Sequence, residues 1–169
     1  ELVRAVESSG RTYMMAENYC YFACNQEMRR LYRADEIGEV RFAECEYNHP
    51  FDSLGYNRLA PGLNHWRNWL PSTYYPTHAL GPIMFITDTR PVVVNALSIP
   101  NSPADKERRN VVRGDPGSCT LLRMNNGAVT HVFGLKLRGH SVWYRLHGTR
   151  GMMENLRPHG ETHKLRVVH

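Results

Sequence analysis

Apolar and polar positions along this chain alternate between helical and extended spacing. Apolar side chains share one face of residues 2–6, and the sequence Ser-Ser-Gly at residues 8–10 predicts the end of a short helix. Residues 12–16 are largely apolar without helical spacing, which predicts a buried strand. A helix followed by a strand is typical of an α/β layer, and we expect this start of the chain to belong to one.

A second helix and another strand follow. Apolar residues recur at helical spacing over residues 21–31, and Gly38 predicts the end of this amphipathic helix. Residues 39–47 are rich in β-forming residues and predict a strand. The alternation shifts phase at residues 42–43, which indicates a bulge.

Residues 48–73 combine prolines and glycines with aromatic residues, and they predict a long irregular loop. A loop of this length in a compact domain is usually either functional or disordered. Trp66 and Trp69 favour an ordered, functional loop. A helix is predicted after it, over residues 79–87.

The second half of the chain has the pattern of an antiparallel sheet. Strands are predicted at residues 92–99, 119–124, 129–137, 142–146 and 164–168. Asn125-Asn126-Gly127 separates two of them and predicts a hairpin, because Asn-Gly between β-forming runs is a strong turn signal. The fold class is therefore α+β, with an open, mainly antiparallel sheet of five or six strands and helices on one face.

Composition restricts the possible functions. The chain has 169 residues, which suits one domain, and a formal net charge of +5. Its basic residues are scattered rather than clustered with aromatics, so we do not expect nucleic-acid binding. No stretch approaches the ~20 apolar residues of a membrane span.

The cysteines and histidines predict no metal centre. The four cysteines lack paired CxxC spacing, so we expect free and mostly buried thiols. His159 and His163 lie four residues apart, but no Cys or acidic residue accompanies them at ligand spacing, which disfavours zinc.

Candidate chemistry concentrates in residues 74–82, where Tyr75 and His78 lie three residues apart. Pro76 and Pro82 flank His78, and Pro82 is best tolerated in the first turn of a helix. We therefore expect His78 at the point where a loop becomes a helix. The spacing alone equally allows Tyr75 and His78 merely to cap and pack that helix.

Four segments together carry a family resemblance. They are Tyr-Met-Met-Ala-Glu-Asn at residues 13–18, Ile-Gly-Glu-Val at 37–40, Trp66-Arg67, and Tyr-Pro-Thr-His-Ala-Leu-Gly-Pro at 75–82. In this order they resemble the C-terminal domain of Gfo/Idh/MocA-type NAD(P)-dependent oxidoreductases, over roughly residues 1–155.

The motif at residues 75–82 is similar to that of one branch of this family, the NAD-dependent retaining glycosidases related to α-N-acetylgalactosaminidases. The dehydrogenases of the family carry Asp-x-Gly-x-His-x-x-Asp instead. Here Tyr74, Pro76 and Gly81 occupy the Asp, Gly and second Asp positions, and only the histidine is shared. The spacing from Trp66-Arg67 to His78 is shorter than in the glycosidase branch, which leaves the sugar open.

The resemblance implies a two-domain enzyme. Residues 1–16 would be the last helix and strand of a Rossmann domain that is otherwise missing, and residues 17–169 a domain for substrate binding and oligomerisation. No Gly-x-Gly-x-x-Gly sequence occurs in the chain, so the resemblance assigns NAD to the absent domain. The implied partners are a sugar or glycoside, that Rossmann domain, and further copies of the chain packed through the sheet.

The resemblance also implies roles for single residues. His78 and Tyr75 would be catalytic, while Glu17, Arg67 and Tyr74 would contact substrate. An imidazole with a pKa near 6.5 suits acid–base work at neutral pH, whereas a phenol with a pKa near 10 is a poor base without help. Glu17 could instead cap the next helix, and Arg67 could be a surface residue. No catalytic role is predicted for Tyr144.

The implied glycosidase reaction begins with oxidation of the sugar C3 hydroxyl by NAD⁺, which acidifies the C2 proton and allows elimination of the aglycone. Water then adds, and the ketone is reduced again. Two alternatives stay open: a plain sugar or polyol dehydrogenase, and a non-catalytic oligomerisation module. The sequence does not decide between NAD and NADP, or between the cytoplasm and the periplasm.

Overall fold

The computed structural model describes residues 1–50, 58–62, 64–102, 115–137, 139–156 and 164–169. The helices are α1 (Leu2–Ser9), α2 (Ala23–Arg33) and α3 (Thr77–Thr87). The strands are β1 (Val40–Asn48), β2 (Pro91–Ser98), β3 (Gly117–Met124), β4 (Val129–Leu135), β5 (Ser141–Gly148), β6 (Met152–Asn155) and β7 (Leu165–Val168). Short 3₁₀ helices cover Asn18–Tyr21, Trp66–Asn68 and Ser72–Tyr74.

The seven strands form one sheet in the order β2-β3-β4-β1-β5-β6-β7. β1 and β4 run parallel, and every other neighbouring pair of the described strands is antiparallel. The predicted α+β class with a mainly antiparallel sheet is confirmed. The sheet has more strands than the five or six predicted, because the short β6 extends it. The register shift between Val40 and Phe42 lies beside the predicted bulge.

The hairpin between β3 and β4 is confirmed. Gly127 donates its N–H to the Met124 carbonyl over 2.9 Å, and Met124 donates to the Ala128 carbonyl over 2.8 Å. Gly127 has a φ of 86°, a value that a residue without a Cβ adopts at little cost. The turn therefore fixes the register of the two strands.

The core lies between one face of the sheet and helices α2 and α3. From the centre of the sheet, Ala43 and Cys45 of β1 point into it, both fully buried. Met28 of α2 and Ile83 of α3 cover them from the helical layer, exposed by 0% and 1%. Within the described residues, both of these helices pack on the same face of the sheet. The prediction of helices on one face is confirmed.

The first sixteen residues differ from expectation. α1 forms and ends at Gly10, which has a φ of 62°, but none of its residues is buried. The buried strand predicted at residues 12–16 is wrong for this structure, because residues 11–17 have no regular secondary structure. Tyr13, Met14 and Met15 are exposed by 58%, 73% and 65%. A strand needs a neighbouring strand for its backbone hydrogen bonds, and no described strand pairs with this segment.

The two longer helices are confirmed with corrected ends. α2 begins at Ala23 and ends at Arg33, so Gly38 does not terminate it, and Tyr21 lies outside the helix with 69% exposure. α3 begins two residues earlier than predicted. Pro82 is therefore its sixth residue rather than a member of the first turn.

The loop before α3 contains ordered turns in its described part. Trp66 and Trp69 are exposed by 59% and 45%. Residues 51–57 of this loop, and His159 and His163, lie outside the described residues. Each of the described helices is too short, or too polar, to cross a bilayer.

Candidate active site

The motif at residues 75–82 lies at the start of α3, as predicted. Tyr75 follows the 3₁₀ helix Ser72–Tyr74, and Pro76 is the N-cap residue of α3. His78 is the second residue of the helix and packs beside β1 and the 3₁₀ helix Asn18–Tyr21. The helix start therefore brings an imidazole next to the segment that carries Glu17.

Glu17, His78 and Tyr75 form one hydrogen-bonded chain. The Glu17 carboxylate oxygen Oε1 lies 2.7 Å from His78 Nδ1, and the Tyr75 hydroxyl lies 3.2 Å from His78 Nε2. The side chains of His78 and Glu17 are exposed by only 17% and 14%. Glu17 is 61 residues from His78 in sequence, so the fold, not local spacing, assembles this chain.

The hydrogen-bond partners decide which ring nitrogen carries the proton. An ionised carboxylate only accepts hydrogen bonds, so His78 donates from Nδ1 to Glu17. In the neutral imidazole, Nε2 is then the acceptor, and the Tyr75 hydroxyl donates to it. His78 is thus poised to take a proton from Tyr75, and Glu17 is placed to stabilise the imidazolium that results.

Gly81 makes room for Glu17. A Cβ at position 81 would lie 2.9 Å from Glu17 Cγ and 3.6 Å from its Cδ. The same Glu17 Oε1 also accepts a hydrogen bond from the Tyr19 backbone N–H over 3.1 Å. Glu17 therefore both caps the 3₁₀ helix Asn18–Tyr21, as the alternative interpretation held, and binds His78.

Two further tyrosines enclose the imidazole. The Tyr19 ring centroid lies 4.5 Å from that of His78, and the Tyr47 centroid lies 4.8 Å from it. Burial raises the pKa of Tyr47 and of Tyr19 above the ordinary value of a phenol. Both phenols therefore stay neutral around neutral pH, and they shield the Glu17–His78 pair from water.

A cavity of about 200 Å³ opens beside Tyr75. Its polar and charged lining consists of Tyr47, His49, Arg67, Ser72, Tyr75 and Lys136. The volume is below the ~300–1,000 Å³ of pockets for drug-sized ligands, and it suits a small molecule such as one sugar ring. Tyr75 belongs to the wall, whereas Glu17 and His78 are not among the lining residues, so Tyr75 connects the cavity to the buried pair.

His49 and Arg67 set the charge of the cavity wall. Burial, with the nearby His140, lowers the pKa of His49, so this imidazole is neutral at neutral pH. The Arg67 guanidinium carbon lies 5.8 Å from the centroid of the Tyr75 ring and 5.1 Å from that of Trp66. Arg67 thus presents a cationic donor group to the cavity next to Tyr75.

The structure brings most of the predicted site residues together. Tyr75 and Arg67 line the cavity, and His78 and Glu17 lie behind Tyr75. Tyr74 is 73% exposed and does not line the cavity, because it lies on the outer side of its short 3₁₀ helix. The roles predicted for these residues remain predictions.

Sequence reasoning missed the residues that surround His78. Tyr47 occupies an inward position of the β1 alternation, which could have indicated its place. Tyr19 follows Glu17 by two residues, and nothing local distinguishes it from a surface tyrosine. Tyr144 of β5 donates a hydrogen bond from its hydroxyl to the His78 carbonyl over 2.5 Å. Within the described residues, no group of three His, Cys, Asp or Glu side chains could hold a metal ion.

Comparisons with known proteins give one distant relative and many similar structures. No family model matches the chain. A glycosyl hydrolase family 109 protein from Solibacter usitatus is 29% identical over 125 residues, which cover 69% of this chain and 28% of that protein. The chain therefore spans less than a third of the curated relative.

The solved structures agree over nearly the whole chain. An inositol dehydrogenase homolog from Azotobacter vinelandii, complexed with NADH and myo-inositol, matches with a TM-score of 0.70 and 17% identity, over 99% of this chain and 45% of that one. Levoglucosan dehydrogenase, in complex with NADH and levoglucosan, matches with a TM-score of 0.75 and 19% identity, over 97% and 45%. At these identities the agreement establishes the fold.

Proposed function

Because the chain has the C-terminal domain fold of Gfo/Idh/MocA-type oxidoreductases, we propose that it is the substrate-binding domain of an NAD-dependent enzyme acting on carbohydrates. The reaction that we propose first for this enzyme is redox-assisted glycoside hydrolysis. The similarity to a glycosyl hydrolase family 109 protein and the motif at residues 75–82 support this class over plain dehydrogenation.

One observation carries the proposal: the Glu17–His78–Tyr75 chain ends at a cavity of single-sugar size. The distances of 2.7 Å and 3.2 Å at the two imidazole nitrogens are within hydrogen-bond reach. A histidine that only packed a helix would not need a buried carboxylate on one nitrogen and a cavity-lining phenol on the other.

The chain's own residues would move protons. A substrate hydroxyl or C–H proton passes to the Tyr75 oxygen, while the Tyr75 proton passes to His78 Nε2. Glu17 holds the imidazolium, and the reverse transfer protonates the leaving oxygen. General acid–base groups positioned in this way typically contribute 10²–10⁴-fold to a rate. This order places Tyr75 at the substrate and His78 behind it, whereas the sequence favoured His78 as the direct base.

The described residues fit the sugar side of such a site and not a dinucleotide cradle. The cavity wall offers hydroxyl, imidazole and cationic donors, but no glycine-rich turn precedes a helix in the described chain. We therefore assign NAD mainly to a separate Rossmann domain, with residues 1–16 as part of it. The bound dinucleotide supplies the hydride acceptor. The exposed apolar residues Tyr13, Met14 and Met15 would then be covered by the rest of that domain.

The open face of the sheet supports the proposed homo-oligomer. Leu97 and Leu121 are exposed there by 79% and 48%, and Val129 by 37%. Exposed apolar side chains on adjacent strands are typical of surfaces for protein–protein contacts. Sedimentation of the wild type and of the Leu97→Asp and Leu121→Asp variants tests this part of the proposal. We expect an oligomeric wild type that the substitutions dissociate, and a monomeric wild type would contradict it.

A second candidate function is a plain sugar or polyol dehydrogenase. The inositol and levoglucosan dehydrogenases of the same fold favour it. The two reactions differ in their products: a dehydrogenase accumulates NADH from a free sugar or polyol, and the glycosidase releases aglycone without net NADH.

The test uses the full-length protein with NAD and a panel of aryl glycosides, inositols and free hexoses. We expect aglycone release that is lost in His78→Ala. His147→Ala is the matched control, because His147 lies on the opposite face of the sheet, near Phe42. NADH accumulation without bond cleavage would select the dehydrogenase, and full activity of His78→Ala would contradict both enzymatic functions.

A further inference from the structure

The carbonyl of His78 lacks its usual donor within its own helix. In an α-helix, the N–H four residues later donates to each carbonyl. For His78 that residue is Pro82, which has no N–H. The carbonyl of Pro76, two residues before His78, shows the normal pattern, because it accepts the Leu80 N–H over 2.8 Å. The gap in the helix ladder therefore falls on the residue that carries the imidazole.

A phenol from the sheet fills this gap. The Tyr144 hydroxyl donates to the His78 carbonyl over 2.5 Å, and Tyr144 is fully buried. Burial also raises the pKa of Tyr144 well above its ordinary value, so this hydroxyl keeps its proton throughout the working range of pH. A buried hydroxyl without a hydrogen-bond partner destabilises the fold, so this contact restrains both the Tyr144 side chain and the His78 backbone.

Tyr144 is itself held firmly in the sheet. Its backbone N–H donates to the Asn155 side-chain oxygen over 2.6 Å, and the Asn155 amide donates to the Val142 carbonyl over 3.1 Å. Asn155 is 1% exposed and extends the pairing of β5 with β6 through its side chain. The backbone of Tyr144 is thus held by contacts within the sheet that do not involve α3.

We propose that Pro82 and Tyr144 together position His78 for proton transfer: the proline removes the helical donor, and the tyrosine ties the His78 backbone to the sheet instead. This inference rests on the proposed function of His78. Glu17 and Tyr75 approach the imidazole from two separate segments, so the ring must be held to within about 0.5 Å to meet both. The sheet also contains Tyr47, which packs against the imidazole. A hydrogen bond to the sheet therefore fixes the position of His78 better than the first turn of α3 would alone.

The test is a double-mutant cycle in the full-length enzyme with Tyr144→Phe and Pro82→Ala. We expect Tyr144→Phe to lower kcat about tenfold to a hundredfold with KM changed less than threefold, because small misplacements of a catalytic group cost rates of that order. Pro82→Ala restores a backbone N–H facing the His78 carbonyl. Tyr144→Phe should therefore cost less than threefold in kcat when introduced into the Pro82→Ala background.

Tyr32→Phe is the matched control. Like Tyr144→Phe, it removes a hydroxyl that bonds to a backbone group, here that of Val40, but Tyr32 is only partly buried and lies away from the site. It should leave kcat unchanged. An equal loss from Tyr144→Phe in both backgrounds, or no loss in either, would overturn the inference. If His78→Ala retains full turnover, the proposed function fails instead. In that case, if Tyr144→Phe and Pro82→Ala are coupled only in thermal unfolding, the contact of Tyr144 with His78 stabilises the fold and does not position a catalytic group.

Discussion

Gly81→Ala gives a direct test of how the site is assembled. The added Cβ would lie 2.9 Å from Glu17 Cγ, whereas carbon atoms pack best at about 3.5–4.0 Å. Glu17 must therefore move by roughly 0.6 Å or more, and its 2.7 Å contact with His78 Nδ1 lengthens toward the limit of a hydrogen bond. A hydrogen bond to a charged group contributes about 1.5–3 kcal/mol.

The opposing effect is helix propensity. Alanine in a helix interior is favoured over glycine by about 1 kcal/mol, so Gly81→Ala without a clash would stabilise the domain. We expect a net destabilisation of about 0.5–2 kcal/mol in the wild-type background. With Glu17→Ala already present, the clash is gone, and Gly81→Ala should stabilise by about 1 kcal/mol. The sign of the effect should therefore reverse between the two backgrounds.

Urea unfolding of the full-length protein, followed by tryptophan fluorescence, measures both values because Trp66, Trp69 and Trp143 lie in this domain. The kcat of Gly81→Ala should fall by at least tenfold, since the displaced carboxylate no longer orients His78. The reasoning would be refuted if Gly81→Ala changed stability equally with and without the Glu17 side chain.

Three further predictions concern single residues. The pKa of His49 is lowered below its ordinary value of 6.5, so as pH drops the unfolded chain binds a proton before the folded chain does, and stability falls below about pH 6.5. His49→Gln should reduce this loss, and an unchanged pH profile of the unfolding midpoint would contradict the prediction. Iodoacetamide should label the partly exposed Cys119 in the native protein. Cys45 should react only on unfolding, because it is buried and burial raises the pKa of its thiol, and mass spectrometry distinguishes the two labelled sites. Gly127→Ala should destabilise the domain by about 1–2 kcal/mol in the same urea assay, because its φ of 86° is unfavourable for a residue with a Cβ, and a neutral effect would contradict the turn geometry.

Elements fixed by local chemistry could be predicted from the sequence. The Asn-Gly hairpin, the apolar stripe of α2 and the alternation of β1 each depend on neighbours a few residues apart. The start of α3 was also located well, because Pro76 restricts the backbone just before it. Its exact first residue and the place of Pro82 could not be predicted, because the Tyr144 hydroxyl that satisfies the carbonyl freed by Pro82 is distant in sequence.

Features that depend on distant contacts could not be predicted in this way. The strand expected at residues 12–16 has the right composition but lacks a pairing partner in the described chain. Tyr144 lies 66 residues from His78, and Glu17 lies 61 residues from it, so neither contact leaves a local pattern. Family resemblance supplied Glu17 and His78 as site residues, and only the structure placed Tyr75 between them and the cavity.

The central claim is that Tyr75 passes protons between the cavity and the His78–Glu17 pair. Tyr75→Phe tests it most directly, because it removes one hydroxyl and keeps the ring that packs against Tyr47, 6.1 Å away between centroids. We predict that kcat of the full-length enzyme on its best carbohydrate substrate falls by about 10²–10⁴-fold, with an unfolding midpoint close to wild type. Wild-type turnover by Tyr75→Phe would contradict the account.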